Sequence, residues 1–94
     1  MKVTVKFLAL FYEMAKTLRM ELNVPDGISV RDLLKIIDEK VNPNISKTLL
    51  SDDSGLREGY NILVNGRAID YVKGLDTVLK DGDEVVLLPP IDGG

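Results

Sequence analysis

The 94-residue chain contains no cysteine, histidine, tryptophan or glutamine. Without cysteine there is no disulfide, no thiol nucleophile and no thiolate metal site. Without histidine there is no imidazole to move protons near neutral pH. Chemistry carried by this chain alone would have to rest on carboxylates, lysines or hydroxyls. Lys and Arg number 12 against 15 Asp and Glu, a net charge of −3, which argues against the basic footprint of a nucleic-acid binder. There is no apolar run long enough to cross a membrane. The early stretch Phe7–Tyr12 is short and leads into Glu13, and the start of the chain has no secretory-signal pattern. The cytoplasm is therefore the expected compartment. Missing Gln and Trp lean towards a hot habitat, while the thermolabile pair Asn65-Gly66 leans the other way.

What is present suffices for one hydrophobic core: 45% of residues are apolar. Lys2–Leu8 alternates, with Val3, Val5 and Phe7 set against Lys2, Thr4 and Lys6. That is the period of a half-buried strand. Ala9–Leu18 suits a short helix or turn. Arg19–Val24 alternates again, and Pro25-Asp26-Gly27 is a turn. Ser29 is placed as a helix N-cap with Asp32 three residues on, and Ile28 and Leu33 stand as a hydrophobic staple. Val30, Leu33, Leu34, Ile37 and Val41 then form an apolar stripe at helical spacing, closed by Asn42-Pro43. Further on, Ile45–Leu50 suits a short helix and Ser51–Gly55 a polar loop. Tyr60–Val64 reads as a strand. Asn65-Gly66 is a strong hairpin signal that would set Val64 opposite Arg67 and Ile62 opposite Ile69. Leu75–Leu79 suits a single helical turn and Lys80–Asp83 a tight turn. Glu84–Leu88 is a last strand stopped by Pro89-Pro90.

The order is ββαβββ, with one amphipathic helix to lay across one mixed sheet. Residues 1–88 form the body and residues 89–94 a flexible tail. Val85–Leu88 is apolar on both faces, so this strand should be central, and its second face needs cover. Either a loop or the Ile45–Leu50 segment supplies it, or a partner docks there: Val86 and Leu88 alternate with Val85 and Leu87, so one pair faces the helix and the other is open to a partner, with Val86 and Leu88 the candidate docking pair.

The chain ends Leu88-Pro89-Pro90-Ile91-Asp92-Gly93-Gly94. Two prolines keep the strand from continuing. At about 3.3 Å per residue, the residues after Leu88 can reach roughly 20 Å from the body. A glycine end is slim enough to thread a narrow tunnel, and its terminal carbonyl is open to attack. A carboxylate is a poor electrophile, so such an end needs activation, for which acyl-adenylate formation from ATP is the usual route.

These features together resemble the ubiquitin-like β-grasp sulfur carriers, above all those of the type of the molybdopterin synthase small subunit (MoaD type). The resemblance rests on residues 51–57 (Ser-Asp-Asp-Ser-Gly-Leu-Arg), 61–66 (Asn-Ile-Leu-Val-Asn-Gly), 74–85, which end in Asp-Gly-Asp-Glu-Val, and 88–94, the Leu-Pro-Pro-Ile-Asp-Gly-Gly end. With Phe7-Leu8-Ala9 it spans nearly the whole chain. It implies an α+β fold, a mixed sheet of about four to five strands with one main helix packed on one face. It also implies a non-catalytic carrier subunit that binds no permanent cofactor and no metal. An ATP-dependent activating enzyme would adenylate the Gly94 carboxylate, and a sulfur donor protein would convert it to a thiocarboxylate. The large synthase subunit would then receive the tail, with Pro89, Pro90, Ile91, Asp92 and Gly93 threading its tunnel. Two sulfur transfers would build the dithiolene of molybdopterin. The sequence departs from the family pattern where Tyr12 precedes Glu13 in place of Arg, and where Asp92 stands before the final glycines in place of a small residue.

Other readings share the fold. A thiamine-pathway carrier has the same glycine end, but is usually shorter and lacks the diproline and the 51–57 region. A ubiquitin-like modifier would use the same adenylate to attach Gly94 to lysines. A plain interaction module would leave the tail inert. Asp52-Asp53 or Asp81, Asp83 and Glu84 could imitate a carboxylate pair or cation site, but acidic turn residues are far more often simply solvated.

Overall fold

A computed structural model describes residues 1–52 and 55–91. Strand β1 (Lys2–Phe7) buries Val3, Val5 and Phe7 completely, as its alternation requires. A short helix α1 (Leu10–Ala15) follows, then strand β2 (Arg19–Asn23), antiparallel to β1 with Val3 opposite Leu22. Helix α2 (Val30–Lys40) starts where the sequence places its cap: Ser29 Oγ accepts the Asp32 N–H at 3.1 Å. Its stripe of Val30, Leu33, Leu34 and Ile37 is buried. Helix α3 (Ile45–Leu49) comes next, then β3 (Asn61–Val64), β4 (Arg67–Ala68) and β5 (Glu84–Leu88).

The strands form one mixed five-stranded sheet in the order β2-β1-β5-β3-β4, with β1 and β5 parallel and the other pairs antiparallel. Strand β5 is thus central, as expected of a strand apolar on both faces. The sheet and α2 enclose one core that includes Phe7, Ile37, Ile62, Val85 and Leu87. Ile45 and Leu49 of α3 join this same core, so that segment packs on the inner side of the sheet and does not cover the outer one.

Asn65 and Gly66 both take positive φ, 51° and 83°, the conformation a two-residue hairpin needs. The Asn65 side chain also ties the hairpin to β5, donating to Asp83 at 2.8 Å and accepting from the Glu84 N–H at 2.9 Å. Val64 pairs with Arg67 as expected, but Ile62 does not pair with Ile69, because β4 ends at Ala68. Ile69 instead opens a 3-10 turn (Ile69–Tyr71) that drops its side chain, fully buried, into the core. The helical turn expected over Leu75–Leu79 is a 3-10 turn over Gly74–Asp76. Thr77 closes it, its hydroxyl donating to Gly74 O at 2.7 Å and accepting from the Lys73 N–H at 3.1 Å.

Candidate functional site: the outer sheet face and the tail base

Alternation along β5 divides its residues between two environments. Val85 and Leu87 are fully buried in the core, whereas Val86 and Leu88 point to the outer face. Val86 lies between Lys6 of β1 and Leu63 of β3, its ladder partners. These neighbours leave it 8% exposed, so it is the floor of the patch. Leu88 and Leu63 are half-buried and supply more of the accessible surface. Leu8, also half-buried, follows β1 on the same face, next to Leu88 in the continued register. The result is a small apolar centre of Leu8, Leu63, Val86 and Leu88.

Charge rims this centre. Lys6 Nζ and Glu84 Oε2 are 3.2 Å apart, both side chains about 40% exposed. Arg19 and Glu21 of β2 lie beyond, on the same face as Lys6 and Thr4. An apolar middle inside a polar rim is the anatomy of a docking surface. The sequence offers Val86 and Leu88 as the candidate pair without fixing their face, and does not point to Leu63, Leu8 or Lys6. The hairpin register was the signal that could have found Leu63, since fixing Ile62 inward turns Leu63 outward.

The tail leaves from the end of this face. Leu88 pairs with Asn61 as the last ladder pair. Pro89 is half-buried and Pro90 exposed; Ile91 is 98% exposed. Asp92, Gly93 and Gly94, the rest of the expected tail, lie outside the described residues, as do Asp53 and Ser54 of the polar loop. The acidic turn residues have structural partners. Asp81 accepts the Lys2 N–H at 2.8 Å, and Asp83 accepts the Lys80 N–H at 2.8 Å while holding Asn65. Glu84 is engaged by Lys6. Among the described residues, no three acidic side chains are grouped to hold a metal ion. No described helix is long and apolar enough to cross a membrane.

The family-wide sequence pattern of the ThiS family matches residues 5–94. The chain belongs to the ThiS family. This ThiS/MoaD group comprises small ubiquitin-like sulfur carriers, generally non-catalytic, and the β-grasp fold expected from the sequence is the one found. The ThiS-family chain is 30% identical to small archaeal modifier protein 3 of Haloferax volcanii over 94 residues, all of both chains. It is 34% identical to the molybdopterin synthase sulfur carrier subunit of Drosophila erecta over 93 residues, covering 98% of this chain and 90% of that one. Among solved structures, SAMP1 from Haloferax volcanii superposes with a TM-score of 0.82 at 28% identity, covering both chains completely. Carriers and modifiers thus both stand among the relatives of this ThiS-family chain.

Proposed function

We propose that this ThiS-family protein carries sulfur for molybdopterin synthesis on its Gly94 carboxylate. The observation that carries the reading is the run from an apolar docking face into the tail: Leu63, Val86 and Leu88, then Pro89-Pro90, then a chain that ends in two glycines. The 34% identity to a synthase carrier subunit over nearly the full length supports the same assignment. In this mechanism a carboxylate oxygen of Gly94 attacks the α-phosphorus of ATP in the activating enzyme, and pyrophosphate leaves. Hydrosulfide released by a donor protein then attacks the acyl carbon, the bond to AMP breaks and AMP leaves, giving the thiocarboxylate. In the large synthase subunit the thiocarboxylate sulfur bonds to the pterin precursor, and water then cleaves the acyl–sulfur bond, leaving sulfur on the pterin and the tail as a carboxylate. This chain supplies docking, reach and the carboxylate; the catalytic groups belong to its partners, and the work is done in the cytoplasm.

A second reading is favoured by the full-length similarity to a modifier protein. There a lysine amine, not sulfur, attacks the activated Gly94 carbonyl and an isopeptide bond forms. The two are separated by following the activated protein. Incubation with the activating enzyme, ATP and a sulfur donor should replace one oxygen by sulfur in the intact mass. The thiocarboxylated protein should then yield dithiolene product with the large synthase subunit and the pterin precursor. If it binds that subunit without product, the synthase assignment fails; the remnant of this tail that trypsin leaves after Lys80, found on many cellular lysines, would establish the modifier instead.

A further inference from the structure

The antiparallel register of β3 and β5 continues past the last hydrogen-bonded pair. Asn61 stands opposite Leu88; two residues further along, the same register sets Gly59 opposite Pro90. Proline has no N–H to extend the ladder, so what joins these positions is packing between cross-strand neighbours. The contact is close. A Cβ built on Gly59 would lie 3.0 Å from Pro90 Cβ and 3.1 Å from Pro90 Cγ. The pyrrolidine ring therefore crowds the position of a side chain at residue 59, and must give by a few tenths of an ångström to admit one. Gly59 also has φ +85°, in the tight turn where the Tyr60 N–H donates to Arg57 O at 3.0 Å.

From this contact we infer that Gly59 is a positioning residue for the tail, a role that rests on the carrier reading above. The missing side chain lets Pro90 seat against the 57–60 turn and so sets the direction in which the chain leaves the sheet. Pro90 follows Leu88 and Val86 at alternate positions, so its ring also extends the apolar stripe of the docking face to the root of the tail. A partner that grips the face then meets the tail in a defined direction. A Cβ at residue 59 has to move something. Among the described residues the core includes none after Leu87, and Pro90 is exposed, so Pro90 is the side that yields.

Gly82 provides a matched control. It has the same φ, +85°, but nothing lies within 4 Å of an added Cβ. Gly59→Ala and Gly82→Ala therefore carry similar backbone strain and differ in the contact. We expect both to lower the thermal midpoint to a similar extent. Only Gly59→Ala should raise the KM of the activating enzyme for this protein, by about fivefold, with kcat unchanged, because a misdirected tail weakens binding while the threaded carboxylate reacts normally. Pro90→Ala, which removes most of the ring, should raise KM on its own, and adding it to Gly59→Ala should bring little further change. A nuclear Overhauser effect (NOE) between the Gly59 Hα and Pro90 ring protons is expected in the unaltered protein. The inference is overturned if that NOE is absent, if Gly82→Ala raises KM equally, or if the Gly59 and Pro90 effects simply add. If the unaltered protein shows the NOE but is never adenylated, the carrier proposal falls and the placement of the tail by Gly59 stands.

Discussion

The two sides of β5 have nearly the same composition and opposite circumstances. Val85 and Leu87 are fully buried in the core that α2 shares, while Val86 and Leu88, one residue out of step, look onto a face that no described helix covers. Hydrophobicity alone does not distinguish the pairs. Which pair sustains the fold depends on the side of the sheet where the α2 stripe lands, and the pleat then assigns every other residue of β5 to that side. The inner pair stabilises the fold by removing apolar surface from water. On the outer side Val86 is nearly covered by its neighbours, while Leu88 keeps part of its surface accessible.

This contrast can be broken experimentally, beginning where the effect should be largest. Deleting Gly94 should abolish adenylation and leave the thermal midpoint unchanged, because among the described residues the core includes none after Leu87; a lowered midpoint would show that the tail contributes to the fold. Next in size is the inner face. Leu87→Ala should destabilise by about 2–5 kcal/mol in denaturant titration, the usual cost of a cavity in a packed core. On the outer face, Leu88→Glu should cost about 1 kcal/mol or less of stability, yet weaken the complex with the large synthase subunit at least about tenfold. Calorimetric titration and a melting curve measure the two quantities, and equal destabilisation by Leu87→Ala and Leu88→Glu would erase the distinction between the faces. The smallest change is expected at the rim. Lys6→Ala removes an ion pair whose partners are each about 40% exposed, so stability should fall by roughly 0.2–1 kcal/mol at most. Its signature should be a slower association with the partner at low salt that disappears as salt is raised.

Much of the architecture was legible because local periodicity and turn chemistry pointed the same way. Alternation placed β1 and β2, Ser29 with the 30–41 stripe placed α2, and Asn65-Gly66 placed the β3–β4 turn. The doubly apolar run of β5 correctly implied a central strand. The glycine end and the diproline were legible as a candidate tail for the same reason: each depends on what a residue lacks, a side chain or an N–H, and not on any neighbour. Ile69 shows where such reading stops. Its place opposite Ile62 followed from hairpin register, but burial in the core drew the chain into a 3-10 turn instead.

Sequence by itself thus determined most of the strands, the main helix and the Asn65-Gly66 turn, and marked the glycine end as a candidate tail, since these are set by residues near one another in the chain. The tertiary structure decided which face of β5 is inside, that Leu8 and Leu63 join Val86 and Leu88, that Lys6 engages Glu84, and that Gly59 gives its space to Pro90. Each of those facts joins residues from different strands, or from a turn and the tail. No local pattern encodes such pairings; they exist only once strand order and register bring the partners within contact distance.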